Sequence, residues 1–129
     1  MDAELRDAVR RRAGQACEYC QRRQIDSPLI PLQIEHIVPR KHGGVDSFEN
    51  LALACAECNL HKGSNLTGID PESNLVTMLF NPRRESWAKH FSWDGLRIIG
   101  LTAIGRTTVR VLELNATPRL RVRLAVRAE

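Results

Sequence analysis

The chain has 129 residues, 26% charged and 43% hydrophobic, with a formal net charge of +4. That length suits one domain with an appendage, and it is too short for two independent cores. The charged start, Met1-Asp2-Ala3-Glu4-Leu5-Arg6, and the lack of a long apolar run argue against a signal peptide or a membrane span; the expectation is a soluble, cytoplasmic protein with reduced thiols.

The charge is unevenly placed. Residues 96–129 hold seven Arg against two Glu, whereas residues 1–95 hold twelve Lys or Arg against thirteen Asp or Glu. A basic C-terminal stretch reads either as an electrostatic footprint for nucleic acid or as a solvated helix face.

In chain order, Asp2 is a good N-cap for a helix that places Leu5, Ala8, Val9 and Ala13 along one face and stops at Gly14. Its arginines, Arg6, Arg10, Arg11 and Arg12, could reach phosphates or lie solvated. Cys17-Glu18-Tyr19-Cys20 follows as a metal-binding knuckle. The stretch Gln24 to Leu32, with Ser27-Pro28 and Ile30-Pro31, reads as an irregular connection. A strand then puts Leu32, Ile34 and His36 on one side and Gln33, Glu35 and Ile37 on the other, until Pro39 ends it. Arg40-Lys41-His42-Gly43-Gly44 is a flexible basic loop and Asp46 to Asn50 is turn-like. Leu51 to Ala54 make a second strand, and Cys55-Ala56-Glu57-Cys58 opens a helix that carries Asn59 and Lys62 and stops near Gly63.

Beyond Gly63 the residues up to Pro71 read as turn chemistry. Leu75 to Phe80 is strand-like. Ser86 to Phe91 and Leu96 to Gly100 read as two strands joined across Asp94-Gly95. Thr102 can cap a helix reaching Asn115, with strand as the alternative at Val109-Arg110-Val111, and a last helix follows Pro118.

The four cysteines are the strongest chemical signal. Cys17, Cys20, Cys55 and Cys58 form two Cys-x2-Cys pairs with no cysteine left over, a spacing that directs paired thiolates at one tetrahedral Zn2+. Two disulfides are the rival, and two intervening residues is a cramped loop for a structural one.

Taken together, Cys17-x2-Cys20, Glu35-His36-Ile37-Val38-Pro39, Asn50-Leu51-x-Leu53 and Cys55-x2-Cys58-Asn59-x2-Lys62 resemble the HNH endonuclease family in its four-cysteine zinc-bearing form. The resemblance covers about residues 14–65. From Leu66-Thr67-Gly68-Ile69-Asp70-Pro71 through Phe80-Asn81-Pro82-Arg83 and Trp87 to Ile99-Gly100-Leu101-Thr102, the chain also resembles an extension carried by small bacterial HNH proteins, without roles attached. The family fold would be α+β: a treble-clef-like ββα-metal core at 14–65 with an N-terminal helix and a mixed extension at 66–129, in a single domain, 1–129.

By the same resemblance His36 is the general base that activates water, and Asn50 holds the loop that aims it. Glu35 matches the ligand of a catalytic divalent ion and Asn59 falls on the last motif position, making an HNN variant. Oxygen donors suit Mg2+ or Mn2+. Arg40, Lys41 and Lys62 are candidate phosphate contacts on DNA. His61 and His42 read as surface or phosphate-contacting side chains, and His90, between the tryptophans, as packed. The implied activity is metal-dependent hydrolysis of DNA phosphodiester bonds, by nicking as a monomer or by cutting both strands as a homodimer. The alternatives are a catalytically inactive zinc-stabilised nucleic-acid binding module and a zinc-stabilised protein interaction domain.

Overall fold

A computed structural model describes residues 1–128. Its helices and strands are intermixed along the chain, and the contacts gather into two compact units, one of Met1–Leu66 with Asn81–Arg84, the other of Thr67–Phe80 with the chain from Glu85 onward.

The first unit opens with α1 (Ala3–Arg12), whose N-cap Asp2 accepts the Leu5 N–H at 2.8 Å. Val9 is fully buried. Two of the helix's arginines turn inward. Arg10 donates to the Leu32 carbonyl at 3.0 Å, while Arg12 donates to the carbonyls of Phe48 and Leu51 and lies 3.8 Å over the Phe48 ring. Arg6 and Arg11 remain exposed.

The connection after the first cysteine pair is organised by Gln24. Its amide donates to the carbonyls of Ser27 and Ile30 and accepts the Leu32 N–H at 2.7 Å, replacing the backbone pairing that Pro28 and Pro31 disallow. β1 (Gln33–His36) then pairs antiparallel with β2 (Leu51–Ala54), His36 opposite Leu51 and Gln33 opposite Ala54. All four residues of β2 are buried, as a continuous apolar run suggests. α2 (Ala56–Lys62) follows at once, with Cys55 as N-cap. The loop expected to be flexible contains a 3₁₀ turn at Arg40–His42, ended by Gly43 at φ +87°.

In the second unit, the stretch read as turn chemistry contains a strand. β3 (Thr67–Ile69) pairs antiparallel with β4 (Val76–Met78), and the turn between them is built on Asp70, which is fully buried. Asp70 accepts the Glu72 N–H at 3.1 Å and the Ser73 hydroxyl at 2.8 Å, and Arg106 grips both of its oxygens at 3.0 and 2.9 Å. These bonds hold its carboxyl well below the usual carboxylate range, with Arg106 the main cause.

The segment expected to be a strand from Ser86 begins instead as one helical turn, α3 (Trp87–His90), before β5 (Phe91–Asp94) and β6 (Arg97–Gly100) form the hairpin across Asp94-Gly95. Aromatic packing explains the turn. An i,i+4 step brings Trp87 to 5.2 Å from Phe91, which also meets Phe80 edge-on at 5.2 Å; an extended chain would separate the first pair. α4 (Ala103–Val111), capped by Thr102, approaches β6 closely, for a Cβ on Gly100 would fall 2.3 Å from the Arg106 backbone nitrogen.

α5 (Thr117–Arg127) shows where much of the C-terminal basic charge goes. Arg119 donates to the Leu112 carbonyl at 2.8 Å, Arg123 to Leu114 at 2.6 Å and Leu96 at 3.0 Å, and Arg127 to Gly95 at 3.1 Å. Spaced four apart on one helix face, they clamp the end of α4 and the β5–β6 turn through otherwise unpaired carbonyls. Arg119→Ala is therefore expected to cost roughly 1.5–3 kcal/mol of stability, against less than about 0.5 for exposed Arg121→Ala, as read by urea denaturation. Equal midpoints for the two variants would contradict the clamp.

Candidate functional site

The four cysteines are buried, with no disulfide, and their sulfurs all lie within 4.8 Å of one another. A tetrahedral ion with bonds of ~2.3 Å needs sulfurs roughly 3.8 Å apart. Cys20 and Cys55 are 3.6 Å apart. Local chain geometry forms this cluster. The Cys20 N–H points at the Cys17 sulfur and the Cys58 N–H at the Cys55 sulfur, each at 3.4 Å, so both pairs fold as tight turns, the second at the start of α2. Burial pushes the thiols of Cys17 and Cys58 well up, and a cation is what would make thiolates stable in such a place. The four are thus positioned to bind a metal. Among the described residues, no other group of three or more His, Cys, Asp or Glu side chains is so arranged.

His36 stands at the end of β1, its side chain 19% exposed, with Nε2 2.6 Å from Asp46 Oδ1. Asp46 is also paired with Arg40, whose Nη2 lies 2.8 and 2.9 Å from its two oxygens. Asn50 ties the intervening loop. Its Nδ2 donates to the carbonyls of Val38 and Val45, both at 3.0 Å, and its Oδ1 accepts the Val38 N–H at 2.9 Å.

Glu35 does not face an open site. It is 4% exposed, accepts the Tyr19 hydroxyl with Oε1, and pairs with Lys62 Nζ at 3.2 Å through Oε2. Burial pushes its carboxyl up, against the opposing pull of Lys62 and Tyr19. Lys62 was expected to contact phosphate, and the structure places it inside instead. At 2% exposure it also donates to the carbonyls of Ile37 at 3.0 Å and His36 at 3.3 Å. A buried carboxylate on β1 needs a counter-charge, and the last turn of α2 supplies it.

Asn59 lies elsewhere on α2, its amide donating to Gln33 Oε1 at 2.6 Å. Arg40 and Lys41 are exposed, and His42 reaches the Ser64 carbonyl at 3.1 Å. His90 is packed, 2.6 Å from the Thr102 hydroxyl.

The structure therefore brings together His36, Asp46, Arg40 and Asn50 as one group and Tyr19, Glu35 and Lys62 as another. Asp46 and Tyr19 were not among the sequence candidates. The first is hidden in turn-forming composition and the second lies between two cysteines.

Lys62→Ala would leave Glu35 buried without its partner, at a cost of roughly 3–5 kcal/mol. The folded carboxyl already binds its proton more tightly than an unfolded one. Stability from that group therefore falls as pH rises above the usual carboxylate range, and loss of Lys62 raises the folded value further. Urea midpoints are expected to show a greater loss at about pH 8 than at about pH 5. A loss independent of pH would contradict the assigned pair.

Septu protein PtuB from Bacillus thuringiensis is 29% identical to this chain over 106 residues, which include 81% of the chain and 38% of PtuB. The chain thus spans less than two fifths of the length of that curated relative. No solved structure matches it. Residues 17–65, from the first cysteine to just beyond α2, match the HNH endonuclease family.

Proposed function

We propose that the chain is an endonuclease that hydrolyses DNA phosphodiester bonds with water activated by His36. The observation that carries this reading is His36 at a strand end, partly open to solvent, beside an Asn50-tied loop within the segment that matches the HNH family. Residues 14–65 are the ββα-metal core of this reading and 66–129 its extension. Zn2+ on Cys17, Cys20, Cys55 and Cys58 is structural: four thiolates leave no open position for water or substrate.

The imidazole takes a proton from water, and the resulting hydroxide attacks phosphorus. Asn50 fixes the backbone that follows His36. Exposed Lys41 and Arg40 offer charge to the DNA backbone, which gives affinity without reading sequence.

A divalent ion such as Mg2+ or Mn2+, when bound, would neutralise charge on the phosphorane and the leaving oxygen. The resemblance assigns it to Glu35 and Asn59. Asn59 has a suitable oxygen, but Glu35 does not fit that role, because Tyr19 and Lys62 engage its two oxygens in a nearly closed site.

The engaged Glu35 favours a second reading, a zinc-stabilised DNA-binding module without chemistry. A gel shift and a cleavage assay on the same DNA separate the two. Binding with divalent-dependent cleavage supports the nuclease, whereas binding without cleavage in Mg2+, Mn2+, Ni2+ or Zn2+ supports the module.

A further inference from the structure

His36 and Asp46 are ten positions apart, and their contact depends on a loop with little freedom. Asn50 fastens that loop at both Val38 and Val45. Within it the N–H groups of His42 and Gly44 both donate to the Pro39 carbonyl, at 2.9 and 3.0 Å. A Cβ on Gly44 would lie 1.6 Å from the Val38 carbonyl oxygen, so the loop closes only on glycine. Asp46 directly follows the fastened Val45, and Arg40 grips its carboxylate from the other side.

An ionised carboxylate can only accept a hydrogen bond. With Asp46 at 2.6 Å, His36 Nε2 carries the hydrogen, and in the neutral ring the lone pair is left on Nδ1. The bond from His36, with help from Arg40 and against some desolvation, holds the Asp46 carboxyl below its ordinary range.

We propose that Asp46 is a positioning residue of the reaction, accepting the Nε2–H of His36 so that Nδ1 is presented as the free base to the attacking water. This rests on the reading of His36 as general base. In the step, water gives its proton to Nδ1 and its oxygen bonds to phosphorus. The bond from phosphorus to the leaving ester oxygen breaks, and that oxygen takes a proton from solvent. Asp46 stabilises the imidazolium formed on the way. Arg40 keeps the carboxylate turned toward the ring, a use of its charge separate from contact with DNA.

A partly exposed ion pair of this kind adds little to stability, so the fold does not depend on it. The test compares the full zinc-loaded chain with Asp46→Asn and Asp46→Glu on supercoiled plasmid, with Mg2+, Mn2+, Ni2+ or Zn2+ added. It also reads the ring nitrogens of His36 by 15N NMR. Asp46→Asn is expected to lower kcat on the order of 10²-fold at unchanged KM, with zinc content and circular dichroism as in the parent. The neutral ring changes from the Nε2–H tautomer toward Nδ1–H, because the Asn amide can donate to Nε2, and Asp46→Glu recovers part of both readouts. Cleavage by the parent with kcat unchanged in Asp46→Asn, or an Nδ1–H ring in the parent, overturns the assignment of Asp46 alone. Failure of the parent to cleave under every metal overturns the nuclease reading and the catalytic use of Asp46 with it.

Discussion

Cys55→Ser is expected to unfold the unit that contains the cysteines and release its metal. Cys55 is 2% exposed, directly follows β2, caps α2 and holds its sulfur 3.6 Å from that of Cys20, so strand, helix and first knuckle all meet at this residue. A structural zinc site contributes about 10–16 kcal/mol of apparent binding free energy in small zinc domains, comparable with the whole stability of a domain at about 5–15 kcal/mol. Serine is a poor zinc ligand, and its loss of thiolate charge leaves three sulfurs with a weakly held ion. Metal analysis should find about one Zn2+ per parent chain and far less in the variant, with loss of cooperative urea unfolding. A variant with full zinc content and the parent's midpoint would show that the four sulfurs do not share an ion.

His36→Ala is expected to have the largest effect on activity with almost none on the fold. The side chain is 19% exposed, and its recorded side-chain partner is Asp46 at the surface, so truncation opens no buried cavity. Loss of a general base costs typically about 10²–10⁴-fold in rate. The contrast with Lys62→Ala is informative, because that buried cation sits on the carbonyl of His36 yet should act mainly through stability. A His36→Ala protein with the parent's zinc content and urea midpoint would separate the chemical role from a structural one.

Much of the first unit was legible because its signals are local. Asp2 before a helical repeat, two Cys-x2-Cys pairs and the apolar run Leu51 to Ala54 each specify an element within a few residues. The second unit depends on partners distant in sequence. Thr67-Gly68-Ile69 is polar and short, and it becomes a strand because Val76–Met78 lie opposite it while Arg106 secures the turn at Asp70. Ser86 to Phe91 reads as a strand leading into the Asp94-Gly95 hairpin, but the contact of Trp87 with Phe91 requires a helical step.

The same distinction applies to charge. Lys62 at a helix end and Arg119, Arg123 and Arg127 on a terminal helix look like solvated or DNA-facing cations. Their destinations are Glu35 and a set of backbone carbonyls, visible only after the elements have packed. Asp46 was hidden for a related reason, since its contact with His36 requires the closure that Asn50 and Gly44 impose.

The most direct measurement is cleavage of supercoiled plasmid by the parent and His36→Ala side by side, in EDTA and in Mg2+, Mn2+, Ni2+ or Zn2+. Divalent-dependent nicking or linearisation by the parent is expected, abolished by EDTA and lost in a folded, zinc-loaded His36→Ala. Equal cleavage by both proteins would contradict His36 as the base, and no cleavage by a folded, DNA-binding parent in any metal would contradict the nuclease itself.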